Sequence, residues 1–220
     1  MNSFIVSIEG NIGSGKSTFI NYLKRNLTTI EGRRVVYIDE PVDTWNSVCD
    51  KDGDTILVKF YKDKKENAFP FQMMAYITRL AKTREAIRNN PGCVFITERC
   101  LNTDRYIFAK MLYDMGDIRE IDYNIYLKWF DEFYSEIQTS CYIYVKTDPD
   151  KCHSRVNIRK RDGEEGISLE YLQSCHQYHE EWLNDIDNKI VLDGNLHNKN
   201  LELYSMFKGN VINNVKKVLP

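Results

Sequence analysis

Residues Gly10-Asn11-Ile12-Gly13-Ser14-Gly15-Lys16-Ser17 fit the pattern G-x-x-x-x-G-K-[ST], and this stretch constrains the chain more than any other. A loop of this kind works only between a strand and a helix. The neighbours fit that frame. Phe4-Ile5-Val6-Ser7-Ile8 is a short apolar run with β-branched residues and predicts a buried strand. Thr18 to Thr29 carries Phe19, Ile20, Leu23 and Leu27 at helical spacing and predicts a helix. The glycines let the backbone curl so that its amides point inward at phosphate oxygens, and the helix N-terminus adds positive field there. Lys16 can reach the β- and γ-phosphates of a nucleotide, and the Ser17 hydroxyl can ligate a magnesium ion.

Further short strand-like runs fall at about 34–38, 93–97, 141–145 and 189–192, separated by helical stretches. That alternation predicts βαβ units, an α/β fold with a five-stranded parallel sheet flanked by helices, in one domain over residues 1–220. The polar segment 46–67 is expected to form an irregular insertion or a short helix, and the mixed-charge run Lys62 to Glu66 a solvated surface. With a formal net charge of −2, the chain lacks the broad basic surface of a polymeric nucleic-acid binder. Its six cysteines contain no C-x-x-C pair; Cys93 and Cys141 read as small core residues, the pattern of a reducing compartment. The first strand begins almost at the N-terminus and no run reaches the length of a membrane span. The simplest expectation is a cytoplasmic protein without a membrane partner.

In parallel sheets ligands gather at the carboxyl ends of strands. Glu40 follows the strand at 34–38 and Glu98-Arg99 follows the strand at 93–97, so both fall at the edge that carries the phosphate loop. Such a pair can fix a loop structurally. Beside a phosphate loop, one carboxylate can also hold Mg²⁺, a second can accept a proton from an attacking hydroxyl, and Arg99 can bridge base and substrate. Arg155 and Arg159 share a helix face and Arg161 follows. They read either as a solvated basic face, pairing with Glu164 and Glu165, or as an Arg-rich lid over a nucleotide. Gln72, Ala75 and Arg79 form one stripe on a helix from about 69 to 88. A Gln amide can read a base edge and Phe71 with Phe108 can sandwich a ring, although spacing alone favours a core role for the aromatics. Cys175, His176 and His179 on the helix 168–185 read as helix surface, because no fourth ligand stands at zinc spacing.

At this point the chain resembles the deoxynucleoside kinases, nearest to the deoxycytidine, deoxyguanosine and deoxyadenosine kinase branch. The resemblance rests on Ile8-Glu9-Gly10 through Thr18, Glu40-Pro41-Val42, Phe71-Gln72, Glu98-Arg99 with Asp104-Arg105-Tyr106-Ile107-Phe108-Ala109, the arginines from Arg155 to Arg161, and Gly166 to Leu172. It implies a P-loop kinase fold and ATP-dependent phosphorylation of the 5′-hydroxyl of a deoxynucleoside. Residues 10–18 and Arg155, Arg159 and Arg161 would hold the nucleotide. Glu40 would be the general base, Arg99 would position the hydroxyl, and Ser17 with Glu98 would ligate Mg²⁺. Tyr61 and Glu164 would hold the 3′-hydroxyl, Gln72 the base edge, and Trp45, Phe71 and Phe108 the pocket walls. Arg79 with Asp104 would favour an amino-bearing base, deoxycytidine or a purine, over thymidine. Family members are commonly homodimers; the helix 118–137, with Ile121, Ile125, Trp129 and Phe133 plus Tyr126 and Phe130, has more than one apolar face and suits burial on both sides.

Three departures stand out: Cys100 replaces a serine usual after Glu98-Arg99, the 46–67 segment that carries Tyr61 is shorter than in some family members, and the adenine edge, near Asp193 to Asn198, has no clear motif. Two rival readings remain. A thymidylate-type kinase needs a free arginine for the acceptor's phosphate, whereas Arg79 has Asp104 as a partner. A guanine-dependent switch needs N-K-x-D, but Asn188-Lys189 is followed by Ile190-Val191.

Overall fold

A computed structural model describes residues 3–161, 163–164, 166–196 and 201–218. The strands are β1 (Phe4–Glu9), β2 (Thr29–Ile30), β3 (Arg33–Ile38), β4 (Val94–Glu98), β5 (Cys141–Lys146) and β6 (Lys189–Asp193), in the sheet order β2-β3-β4-β1-β5-β6. The five predicted strands are all present and all parallel to one another. The sixth, β2, corrects the expected count. It pairs antiparallel with β3, Thr29 opposite Arg34. Its turn is Glu31-Gly32, both at positive φ (49° and 73°), the handedness that closes a two-residue hairpin.

Burial explains the runs. β1 and β4 are buried at every residue, as expected of parallel strands covered on both faces. Because side chains alternate, Phe4, Val6 and Ile8 of β1 pack with Phe19, Ile20 and Leu23 of α1 (Lys16–Asn26) and with Phe207, Val211 and Val215 of the C-terminal helix (Leu201–Val218). Ile5 faces the other way, into Tyr76, Leu80, Tyr126 and Phe130. Ser7 and Glu9 share the side of Ile5 by the same alternation.

The segment 46–67 contains one whole short helix and the start of a long one. After α2 (Val42–Asn46), α3 covers Ile56–Lys62 and α4 covers Lys64–Asn89. The expected solvated run therefore contains a helix start: Asp63 accepts a hydrogen bond from the Glu66 amide at 3.2 Å. Pro70 sits inside α4, so α4 begins five residues earlier than the predicted start near 69. Beyond β4, α5 (Leu101–Thr103), a π-helical stretch (Asp104–Ala109) and α6 (Lys110–Asp114) follow without a break. α7 is Glu120–Tyr134, α8 is Pro149–Arg159 and α9 is Leu169–Asn184.

In α7 of the single chain Tyr126 and Phe130 are fully buried, whereas Ile121, Ile125 and Trp129 are exposed. One further expectation changes here. Cys175 and His179 are not helix surface. Both are fully buried on the inner face of α9 with Leu172 and Leu183, because the helix turns the i, i+3/i+4 positions of that sequence inward. Among the described residues no cluster of His, Cys, Asp or Glu could hold a metal ion, all six cysteines are free, and no helix is long and apolar enough to cross a membrane.

Candidate active site

The carboxyl ends of β1, β3 and β4 open onto one cavity of about 740 Å³. That volume lies within the usual range for small-molecule sites, roughly 300–1,000 Å³. Its floor is the loop after β1, where Gly13 (φ 78°) is packed so closely that an added Cβ would lie 2.5 Å from the Cys152 carbonyl. Ile12, Gly13, Gly15, Lys16, Ser17 and Thr18 line the cavity. Gly10, Asn11 and Ser14 frame the loop instead. The Asn11 amide donates to the Leu172 carbonyl at 2.8 Å, and the Ser14 carbonyl accepts from Thr147 at 2.9 Å. The Lys16 ammonium donates to the Asn11 carbonyl at 2.8 Å; burial, then the Arg99 guanidinium, push it down to about 8.

Opposite the loop stands a cluster of charges. Glu40, just past β3, accepts from Arg99 at 2.9 Å and from Arg79 at 3.2 Å, both on Oε1. Burial on its own would raise the Glu40 carboxyl, but Arg99, Arg79 and Lys16 outweigh it and hold it at about 2. Glu40 is therefore an ionised acceptor at neutral pH. Arg79, on the cavity face of α4, also donates to Asp104 from Nε at 2.9 Å and from Nη2 at 3.3 Å, and to the Glu98 carbonyl at 2.9 Å. Burial opposes its charge, yet Asp104 and Glu40 raise it above the ordinary arginine value. Arg99 holds a positive φ of 62°, a strained conformation for a residue with a side chain. Its amide donates to the Ile8 carbonyl at 3.1 Å, and its guanidinium lies 5.2 Å from the Phe108 ring centroid.

Every expected substrate residue lines this cavity: Glu40, Trp45, Tyr61, Phe71, Gln72, Arg79, Arg99, Asp104, Phe108 and Glu164. Ala75 completes the predicted stripe with Gln72 and Arg79. The π-helical stretch brings Asp104 and Phe108 to the same wall; such stretches occur often at functional sites. Phe71 stacks on Phe60 (4.8 Å between centroids) and meets Trp45 edge-on at 5.4 Å, so it is at once core and wall. The Gln72 side chain is buried and its Oε1 has no hydrogen-bond partner. Burial, with Glu164 next, pushes the Tyr61 phenol far above its ordinary range, which keeps it a hydrogen-bond donor.

The expected metal ligands also meet. The Ser17 hydroxyl donates to Glu98 Oε1 at 2.8 Å, so two hard oxygen donors stand together at the helix end. The three arginines divide. Arg155 donates to the carbonyls of Ser14 (3.0 Å) and Gly194 (2.9 Å). Arg159 and Arg161 both pair with Glu164, Arg161 at 3.4 Å. All three line the cavity. Residues 162 and 165 of the expected lid 155–166, and residues 197 and 198 of the segment near Asp193, lie outside the described residues.

Sequence reasoning missed the walls given by Val42, Leu57, Phe60, Ile158 and Tyr171. Tyr171 and Val42 had a signal, since they lie within the Gly166–Leu172 and Glu40-Pro41-Val42 signatures. The others come from α3 and α8, whose apolar residues carry no motif.

Comparison with known proteins agrees with this geometry. A family model described as deoxynucleoside kinase matches residues 6–220. The chain is 40% identical over 183 residues to a probable deoxycytidine kinase of fowlpox virus (strain NVSL), covering 82% of this chain and 72% of the relative. It is 36% identical over 198 residues to the deoxycytidine kinase of Rattus norvegicus, covering 81% and 74%. To the mitochondrial thymidine kinase 2 of Homo sapiens it is 34% identical over 182 residues, covering 81% and 64%. The chain is thus a kinase and belongs to the deoxynucleoside kinase family.

Proposed function

We propose that this kinase transfers the γ-phosphoryl of ATP to the 5′-hydroxyl of deoxycytidine or deoxyadenosine in preference to thymidine, with deoxyguanosine as a further substrate, in nucleotide salvage. One observation carries the reading: the ionised Glu40 carboxylate, 2.9 Å from Arg99, stands at the same sheet edge as the phosphate loop. A hydroxyl placed between them meets a proton acceptor on one side and the phosphoryl donor on the other, the arrangement general-base catalysis needs. Arg99 orients that hydroxyl. Residues 10–18 cradle the triphosphate, and Arg155, Arg159 and Arg161 supply cationic cover from α8 and the loop after it.

Ser17 and Glu98 fit a magnesium ion, because their two oxygens already converge at the phosphate loop. When bound, the ion neutralises charge on the triphosphate. Tyr61 and Glu164 hold the 3′-hydroxyl, and Tyr61 crowds a 2′-hydroxyl.

Base preference follows from the inner wall. Gln72 presents an unpartnered acceptor, and Asp104 has lone pairs left beside Arg79. Both favour an exocyclic amine over the carbonyl that thymine carries at that position. A site built on polar contacts discriminates steeply. Arg79 is fully engaged with Asp104, Glu40 and the Glu98 carbonyl, which opposes a phosphate-bearing acceptor. The six free cysteines suit a reducing compartment such as the cytoplasm. The exposed Ile121, Ile125 and Trp129 on α7 suit a face covered by a second copy of the chain.

Transfer from γ-³²P-labelled ATP to each of the four deoxynucleosides, and to dCMP and dTMP, tests the reading. Deoxycytidine or deoxyadenosine is expected to have the highest kcat/KM. Thymidine in first place would overturn the base assignment, and faster labelling of dTMP or dCMP than of nucleosides would overturn the acceptor.

A further inference from the structure

Two neighbouring residues of α4 hold the two ends of the segment that carries Glu40. At its start, Arg79 donates to the Glu40 carboxylate at 3.2 Å. Near its end, the indole Nε1 of Trp45 donates to the Thr78 hydroxyl at 2.9 Å. Between them runs α2, five residues from Val42 to Asn46, and among the described residues no side chain caps its first turn. So short a helix is marginal by itself and takes its place from what it packs on. Glu40, Trp45 and Arg79 line the cavity, whereas Thr78 lies outside the lining.

The helix itself orients the Thr78 hydroxyl. Its proton points back to the Met74 carbonyl, one turn earlier, at 2.6 Å, with the Ala75 carbonyl at 3.2 Å. This back-bonding of a threonine within a helix uses the single hydroxyl proton and leaves the lone pairs for a donor from outside. The Trp45 indole is that donor. Its N–H can only donate, and Trp45 is 6% exposed, so losing the acceptor would leave a buried, unpaired donor, which is unfavourable. Phe71 meets the same ring edge-on at 5.4 Å. That apolar contact leaves the indole free to tilt, whereas a hydrogen bond is directional. Valine has the shape of threonine and offers no acceptor.

We infer that Thr78 is a positioning residue for nucleoside binding: its hydroxyl fixes the Trp45 indole as a wall of the acceptor pocket and, with Arg79, sets α2 in place against α4. This rests on the proposed role of Trp45 as a pocket wall. The two holds have separate effects. Arg79 and Arg99 keep Glu40 in place whether or not Thr78 carries a hydroxyl, so the proton acceptor stays where it is. Without the hydroxyl, the indole turns toward another acceptor, and the wall facing the deoxynucleoside moves. A wall contact is made alike before and during transfer, so its loss raises KM and leaves kcat. The phosphate loop follows β1, away from α2 and α4, so ATP binding is unaffected.

The test is steady-state transfer of labelled phosphate from ATP to whichever of the four deoxynucleosides has the highest kcat/KM, in Thr78→Val, Thr78→Ser, Trp45→Phe and the combination of Thr78→Val with Trp45→Phe. Thr78→Val is expected to raise KM for the nucleoside about fivefold, with kcat and KM for ATP within about twofold. Thr78→Ser keeps the hydroxyl and is expected to stay within about twofold of the unaltered enzyme in all three. In the Trp45→Phe background, Thr78→Val is expected to change KM less than about twofold, because the N–H it would leave unpaired is already gone. An unchanged nucleoside KM in Thr78→Val would overturn the inference. So would a loss in Thr78→Ser equal to that in Thr78→Val, or an undiminished rise in the Trp45→Phe background. So would a kcat or an ATP KM impaired as much as the nucleoside KM, the mark of a general loosening. Should Thr78→Val not fold, Thr78→Ala, a better helix former, carries the same expectation and the same contradiction. Calorimetry on Trp45→Ala separates the two readings. Nucleoside affinity equal to that of the unaltered enzyme would show that Trp45 is no pocket wall, and the inference falls with it. Weakened affinity in Trp45→Ala beside an unaffected Thr78→Val would overturn the inference alone.

Discussion

Glu40 carries opposing demands. Against burial, Arg99, Arg79 and Lys16 hold its carboxyl at about 2, which keeps it ionised but makes it a weak base on its own. Its value for catalysis is position: it is charged, oriented and beside the phosphate loop. Glu40→Gln keeps the shape and leaves acceptors for both arginines while removing the base. Turnover is expected to fall on the order of 10²–10⁴-fold, with nucleoside affinity measured by calorimetry within about threefold of the unaltered enzyme. Full turnover in that variant would remove Glu40 from the chemistry. At this scale much of the site was legible. Gln72, Ala75 and Arg79 follow from helical spacing, and Glu40 and Glu98-Arg99 from strand ends. The partners of Arg155 were not legible, because carbonyls of Ser14 and Gly194 leave no side-chain signature. Nor was the frame role of Gly10, Asn11 and Ser14, which depends on where α8 and α9 pack.

Elements were read well where periodicity is strong and less well where one residue decides. The five parallel strands were all legible as apolar runs. β2 was not, because two residues carry no periodicity and Glu31 is an unusual choice at positive φ. The start of α4 was placed too late, since Pro70 resembles a first-turn residue, whereas Asp63 caps the helix further back. The inner face of α9 was misread because Cys175 and His179 were weighed as metal ligands and not as packing residues. In place, His179 Nδ1 donates to the Cys175 carbonyl (2.6 Å), the ring stacks on Tyr144 and Nε2 is left without a partner. Burial pushes its imidazole from 6.5 down to about 3. In the unfolded chain it takes up a proton near 6.5, while in the folded chain it does not do so until about 3. Between those values the unfolded state binds more protons, so stability falls as pH drops. At pH 5 the loss is about 2 kcal/mol. His179→Phe keeps the ring stack and removes the proton site. Urea unfolding at pH 7 and pH 5 is expected to show a smaller pH-dependent loss in this variant, and an equal loss would refute the assignment.

At the scale of the whole molecule, the parallel sheet explains why residues from distant segments meet: β1, β3 and β4 deliver the phosphate loop, Glu40 and Glu98-Arg99 to one edge, and α4 with the π-helical stretch closes the wall. The apolar stripe on α7 was legible as a helix with two faces, but only packing separates the buried Tyr126 and Phe130 from the exposed Ile121, Ile125 and Trp129. If that stripe is the self-association face, sedimentation velocity is expected to give a dimer, and Trp129→Glu to shift it toward monomer. A monomer at micromolar concentration in the unaltered protein would contradict that assignment. The most direct measurement is a crystal structure with deoxycytidine and ADP bound together. The account predicts the 5′-oxygen within hydrogen-bond reach of Glu40, about 2.6–3.2 Å, and turned toward the β-phosphate above Lys16. A 5′-oxygen facing away from the phosphate loop and out of contact with Glu40 would contradict it.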